Sequence, residues 1–283
     1  MPGGGGNRFT WNMKIVEDSE TGFARLDTIP EEATVNSYYR DLYFADKPEL
    51  ARDRAWRTVR AYRLFRLLNR ACPDGQSFLD IGAGDGLTCK LAHELYDVTV
   101  GVEPNAKLCA EAKFPLVEST WCEQTARQLP TFSHIDLQNV LEHVVDPVGM
   151  LRLAASKLNP NGALAITVPR DGSILQAEAS KVIGRPEYWV HPTHLNYFTS
   201  ATLQKVVSGV GLEVVWETTN FAMELFLIAG INYVKSPKKG KLCHDIRCKF
   251  EMNLSPDVLE KFYAAMARVG FGREIILIAI KPS

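Results

Sequence analysis

The stretch Phe78-Leu79-Asp80-Ile81-Gly82-Ala83-Gly84-Asp85-Gly86, answered by Val98-Thr99-Val100-Gly101-Val102-Glu103-Pro104, constrains this chain more than any other feature. An apolar run of strand length enters a glycine turn, a helix-length segment follows, and a second apolar run ends on a carboxylate. That order describes a nucleotide-binding βαβ unit. The turn needs glycine because its backbone must take left-handed dihedrals and lie close to a ligand. Glu103 stands where an acidic residue can accept hydrogen bonds from both hydroxyls of a ribose.

Two details separate the unit from a nicotinamide fingerprint. The third glycine of G-x-G-x-x-G would fall at Leu87, whereas the glycines here follow G-x-G-x-G. Asp80 would also repel a pyrophosphate, but it suits a ligand carrying an ammonium and a sulfonium. The ligand that combines those cations with a ribose is S-adenosylmethionine, which leaves S-adenosylhomocysteine as product.

At these residues the chain resembles the class I S-adenosylmethionine-dependent methyltransferases. The likeness extends to Val140-Leu141-Glu142-His143-Val144-Val145-Asp146-Pro147, which is similar to the V-L-E-H-x-x-D-P segment of ubiquinone-biosynthesis-type O-methyltransferases. Leu158-Asn159-Pro160-Asn161-Gly162 resembles that group's L-x-P-G-G turn, with Asn161 in place of a glycine. His194 to Thr199 resembles its H-x-x-x-F-(S/T) element, and Gly272 to Ile276 its closing strand. The likeness covers 77–217 and 272–282, while 1–30 and the stretch before the last strand match only in layout.

The resemblance implies a Rossmann-like α/β fold, a seven-stranded and mostly parallel sheet with helices on both faces. Alternation of apolar runs and helical patterns from Ser77 to Val168 points the same way. The resemblance also implies roles. Asp80, Gly82, Ala83, Gly84 and Gly86 would hold the methionine part of the donor, and Glu103 with Pro104 the ribose. Trp121 and Cys122 would face the adenine edge, with Trp121 either stacking there or packing in the core. Gln138 and Asn139 would line the floor near the methyl group, and His143 the wall beside the donor. Tyr38 and Tyr43, with Tyr39 between them, would either close over the donor or pack on the sheet edge.

Methyl transfer from a sulfonium is an in-line displacement, so the enzyme has mainly to align the acceptor and take its proton. His194 is the preferred base, with His191 and Tyr197 as further candidates in the same connection. The alternative for each histidine is a hydrogen bond that fixes the loop. No metal ligand is assigned, and assistance by a divalent metal stays open. Cys243-His244 with Cys248 lacks a completing pair, and no dense carboxylate or histidine cluster appears in the sequence.

The expected organisation is a flexible arm (1–30), an N-terminal helical cap (31–72), a donor-binding core (73–219), a helical insert on the acceptor side (220–271) and a last core strand (272–283). A net charge of −1 provides no global drive towards nucleic acid. The six cysteines form no C-x-x-C pair, and no apolar run reaches the roughly 20 residues of a bilayer span. A soluble, cytoplasmic monomer or homodimer is therefore expected. Arg52, Arg54, Arg57, Arg60, Arg63, Arg66 and Arg70 step along one helix, as a solvated face or as a cationic wall for an anionic acceptor.

The function expected is O-methylation of a small molecule such as a sugar, a nucleotide-linked sugar or a biosynthetic intermediate. N- or C-methylation is the nearest alternative. A donor-binding scaffold without catalysis is the rival of another class, and a nicotinamide oxidoreductase lacks its third glycine.

Overall fold

A computed structural model describes residues 14–19, 21–41, 53–186 and 193–283. The apolar runs become the centre of a seven-stranded sheet in the order β5-β4-β3-β6-β7-β10-β9. These strands are β3 (Ser77–Ile81), β4 (Val98–Glu103), β5 (Val117–Glu118), β6 (Phe132–Gln138), β7 (Leu158–Pro169), β9 (Glu213–Thr218) and β10 (Glu274–Ile280). The five strands from β5 to β7 run parallel, and β10 lies antiparallel between β7 and β9. Chain order reverses at β3, which pairs with β4 on one side and β6 on the other. Ligands of open α/β sheets bind beyond the carboxyl ends of the strands at such a switch point.

Strand side chains alternate between the two faces, and this divides the core. Leu79, Ile81, Ile135, Leu137, Ile166 and Leu277 point to one side. There they pack with α5 (Glu123–Gln128), α6 (Pro147–Ser156) and α8 (Ser200–Gly209). Phe78, Ala163, Ala165 and Ile278 point to the other, against α2 (Arg54–Ala71), whose Leu64, Phe65 and Leu68 are buried, and α3 (Leu87–Ala92). His134 shares this second face as a neutral ring. Burial holds its pKa down, Nε2 donates to the Cys72 carbonyl at 2.9 Å, and Nδ1 accepts from the Tyr96 hydroxyl at 2.9 Å.

Caps end the helices where the sequence supplies them. Asn105 accepts from the Leu108 N–H at the start of α4 (Ala106–Glu111), and Asp146 accepts from Gly149 ahead of Pro147. At α8 the cap is Thr199. Thr199 and Thr202 form a reciprocal capping box, while the Ser200 hydroxyl is drawn to Glu217 at 2.5 Å. Asn161 takes φ 60°, the left-handed geometry of the glycine it replaces, which asparagine tolerates.

Outside the main sheet, β1 (Ile15–Glu17), β2 (Ala24–Leu26) and β8 (Asn196–Tyr197) form a small antiparallel sheet. It ties the segment read as an arm to the connection after β7, with the Phe23 ring tilted against that of Phe198 at 4.8 Å. Strands this short show no period in sequence. After β7, α7 (Ile174–Ile183) follows, and α9 (Glu224–Ile228), α10 (Pro237–Asn253) and α11 (Pro256–Arg268) fill the stretch between β9 and β10. The cap contributes α1 (Glu32–Asp41). Among the described residues no helix is long and apolar enough to cross a membrane.

Gly101 in β4 is required by space. A Cβ there would lie 2.5 Å from Leu116 Cδ2 and 2.6 Å from Cys89 Sγ. We expect Gly101→Ala to lower stability by about 1–3 kcal/mol through overpacking, read as a drop in the thermal midpoint. An unchanged midpoint would contradict this packing.

Candidate active site

The turn after β3 places Gly82, Gly84 and Gly86 at φ 83°, 57° and 70°, so all three are left-handed. Gly82 is doubly constrained, since a Cβ would also meet Val140 Cγ2 at 2.6 Å. Glu103, at the end of β4, pins this turn. One carboxylate oxygen accepts the Gly84 N–H at 2.8 Å and the other the Asn105 N–H at 2.9 Å. Burial raises the Glu103 pKa, and these two N–H groups work against that rise. A carboxylate oxygen has more than one lone pair, so the same carboxylate can also receive a ligand's hydroxyls.

Asp80 is buried below the turn and accepts from the Cys89 thiol at 3.6 Å. Burial first, then the charges of Glu103 and Asp85, push its pKa up to about 7 against the pull of the thiol. Asp85 behaves oppositely. Despite partial burial, a paired contact with Arg57 (2.7 and 2.5 Å) holds its pKa low.

Arg57 belongs to the arginine series of α2, which the structure divides between two faces. Arg54, Arg66 and Arg70 are exposed, but Arg57, Arg60 and Arg63 turn inward. Arg60 meets Glu274 at 2.6 Å, and Arg63 meets Glu260 at 2.8 Å and Thr218 at 2.8 Å. These pairs fasten the helix to the glycine turn, to β10 and to α11. Residues distant in sequence supply every partner, so spacing within the helix could not reveal them. Arg52 lies outside the described residues.

A cavity of about 250 Å³ opens between α2, α3 and the end of β6, lined by Asp53, Trp56, Arg57, Arg60, Thr88 and Gln138 among others. Helix α10 backs it. His244 Nε2 lies 3.0 Å from Asp53, Arg247 stacks 4.1 Å from the Trp56 ring, and the Trp56 indole donates to Glu251. Neither His143 nor His194 lines this cavity.

These two histidines converge at another point on the carboxyl edge. Asn139 follows β6 at φ 55°, a left-handed value that asparagine tolerates, and turns the chain into a 3₁₀ turn (Leu141–His143). His143 Nδ1 donates to the Thr193 carbonyl at 3.0 Å, and its Nε2 lies 3.5 Å from Glu142. Burial raises the Glu142 pKa well above normal, so Glu142 can stand protonated beside that ring. The His194 ring lies 5.0 Å from the His143 ring, and Nδ1 of His194 contacts Asp171 at 2.7 Å. Asp171 carries no signal in the sequence, because its pairing with His194 exists only once the connection after β7 has folded back.

Glu142, His143 and His194 each offer a ligand atom within 4.8 Å of the others. Segments distant in sequence build this cluster, so no spacing in the sequence displays it.

Tyr39 packs 5.3 Å from His143 and edge-on to Tyr38 at 5.2 Å, and its carbonyl accepts from Asn105. Partial burial raises the Tyr38 pKa. Trp121 is buried in the main core with its indole N–H unpartnered, and Cys122 precedes α5 with its thiol near Thr125 at 3.4 Å. Tyr197 is buried in a small apolar cluster with Leu26, Val35 and Leu195. Tyr43 and His191 lie outside the described residues.

A switch-point glycine turn, Asp80 buried beneath it and a carboxylate at the end of the neighbouring strand form the donor-site layout of a class I S-adenosylmethionine-dependent methyltransferase. The chain matches the family described as "Methyltransferase domain" over residues 55–217 and belongs to it. It is 32% identical over 112 residues to the ubiquinone biosynthesis O-methyltransferase of Bradyrhizobium diazoefficiens, covering 37% of this chain and 44% of that protein. To the protein of the same name from Rhodopseudomonas palustris it is 28% identical over 158 residues, covering 51% and 61%. The matches thus span about half the length of these relatives. In fold it is similar to an S-adenosylmethionine-dependent methyltransferase from Archaeoglobus fulgidus (TM-score 0.53, 20% identity, 83% of this chain and all of that one). It is also similar to magnesium protoporphyrin IX methyltransferase from Synechocystis PCC 6803, solved with bound S-adenosylhomocysteine (TM-score 0.51, 14% identity, 89% and 100%).

Glu103→Ala removes the partner of two backbone N–H groups in the turn. We expect S-adenosylhomocysteine binding to weaken by about 1–3 kcal/mol in calorimetry, with a lower thermal midpoint. A folded variant with unaltered affinity would remove Glu103 from the site.

Proposed function

We propose that the chain transfers a methyl group from S-adenosylmethionine to a hydroxyl of a small molecule. The observation that carries the hydroxyl acceptor is the His194–Asp171 pair at 2.7 Å. With Nδ1–H donated to Asp171, the basic lone pair of His194 is on Nε2, and Asp171 favours the imidazolium that forms when a proton arrives. Attack then runs in line. The acceptor oxygen forms a bond to the methyl carbon, the carbon–sulfur bond breaks with its electron pair on sulfur, and the hydroxyl proton passes to His194.

In this reading Asp80 receives the donor's ammonium and Glu103 its ribose, while Gln138 and Asn139 face the methyl group and His143 supports the wall. Helix α1 with Tyr38 closes one side, and the insert 220–271 encloses the acceptor. The O-methyltransferase names of the partial relatives support oxygen as the atom methylated. Free thiols at all six cysteines fit a cytoplasmic setting.

The Glu142–His143–His194 cluster favours a second reading, in which a divalent cation binds there and polarises the acceptor hydroxyl. One set of assays separates the two. If His194 is the base, His194→Gln and Asp171→Asn should leave S-adenosylhomocysteine affinity intact, and His194→Gln should lower kcat by about 10²–10⁴. A chelator should then leave the wild type unaffected. Near-normal turnover of the His194 variant rejects the base, and activity lost to chelator and restored by a divalent ion supports the cation.

A further inference from the structure

Asp136 is a buried acid that none of the roles above uses. It stands beside Asp80 in the parallel register of β3 and β6, so the two side chains leave the same face of the sheet on neighbouring strands about 4.8 Å apart. Asp136 is 1% exposed, and neither of its carboxylate oxygens has a hydrogen-bond partner. Gln138, one pleat further along that face, lines the cavity at the switch point. A bare buried carboxylate is costly, and two of them side by side are costlier.

We infer that Asp136 is the second carboxylate of the donor's ammonium subsite, sharing a proton with Asp80 in the empty protein and releasing it as the ammonium docks. This rests on the reading of Asp80 as the ammonium's partner and adds what Asp136 does there.

The charged and titratable surroundings favour it from each packed element. Asp80 faces Asp136 from β3, the Cys89 thiol from α3, the Tyr96 hydroxyl from the turn after α3, and Arg60 from α2. Glu103 and Asp85 add negative charge near Asp80. Arg60 is the cation that works against protonation of Asp136, and it is already held by Glu274 at 2.6 Å. Burial and then Asp80 therefore keep the Asp136 pKa well above normal, and Asp80 rises to about 7. An arriving ammonium supplies the missing cation, so one proton leaves the pair as one positive charge enters.

Proton release fixes the sign of the pH dependence. Donor affinity should rise with pH, by up to about tenfold per unit below pH 7, and level off above it. The test is calorimetry of S-adenosylhomocysteine binding to the full chain between pH 6 and 8, in two buffers of different ionisation heat. Release approaching one proton per ligand near pH 6, fading by pH 8, is expected. In Asp136→Asn the release near pH 6 should fall by at least about half, and affinity there should approach its pH 8 value. Asp136→Thr, uncharged and strand-forming, serves if the asparagine variant does not fold. Binding without proton release in the wild type would overturn the proposal, as would unchanged release in either folded variant. Wild-type protein that binds no S-adenosylhomocysteine at any pH would instead sink the donor reading beneath it.

Discussion

The site depends on negative charge gathered at the carboxyl ends of β3, β4 and β6 with little positive charge to meet it. Asp80 has one thiol, Glu103 has two backbone N–H groups, and Asp136 has no hydrogen-bond partner. Each of these acids has its pKa raised by burial. The arginines that α2 turns towards this edge, Arg57 and Arg60, are already paired with Asp85 and Glu274. A cation with hydroxyl groups is the complement that the site lacks. S-adenosylmethionine has both, and the family to which the chain belongs supplies the context in which that match becomes chemistry.

The rest of the molecule holds this edge in place. Helix α2 is tied to the glycine turn through Arg57 and to β10 through Arg60, so one helix braces both the turn and the far half of the sheet. The pairs on β9, β10 and α11 extend that fastening, with Glu260 accepting from both Arg63 and the Trp216 indole. Buried ion pairs of this kind contribute less net stability than their distances suggest, because both partners lose water. Their plainer effect is to fix which way α2 faces.

Much of this was legible in the sequence, and the part that was not has a physical reason. The turn, the strands that flank it and Glu103 are local, so period and residue type revealed them. The seven-stranded, mostly parallel architecture follows from strand alternation together with the family resemblance, whereas the strand order is set by pairings between distant segments. What escaped was built by contacts between distant segments. Asp171 meets His194 across the connection after β7, and Glu142 and His143 meet His194 across the carboxyl edge. The inward arginines pair with Asp85, Glu260 and Glu274. Asp136 was hidden inside a strand, where its significance lies in its register against Asp80.

The central claim is that the donor lies across the switch point between Asp80 and Glu103. A crystal structure of the full chain with S-adenosylhomocysteine tests it most directly. The account predicts the ligand's ammonium within hydrogen-bonding distance of Asp80, its ribose hydroxyls on the Glu103 carboxylate and its sulfur facing Gln138. A ligand bound elsewhere, or one with its ribose away from Glu103, would contradict it.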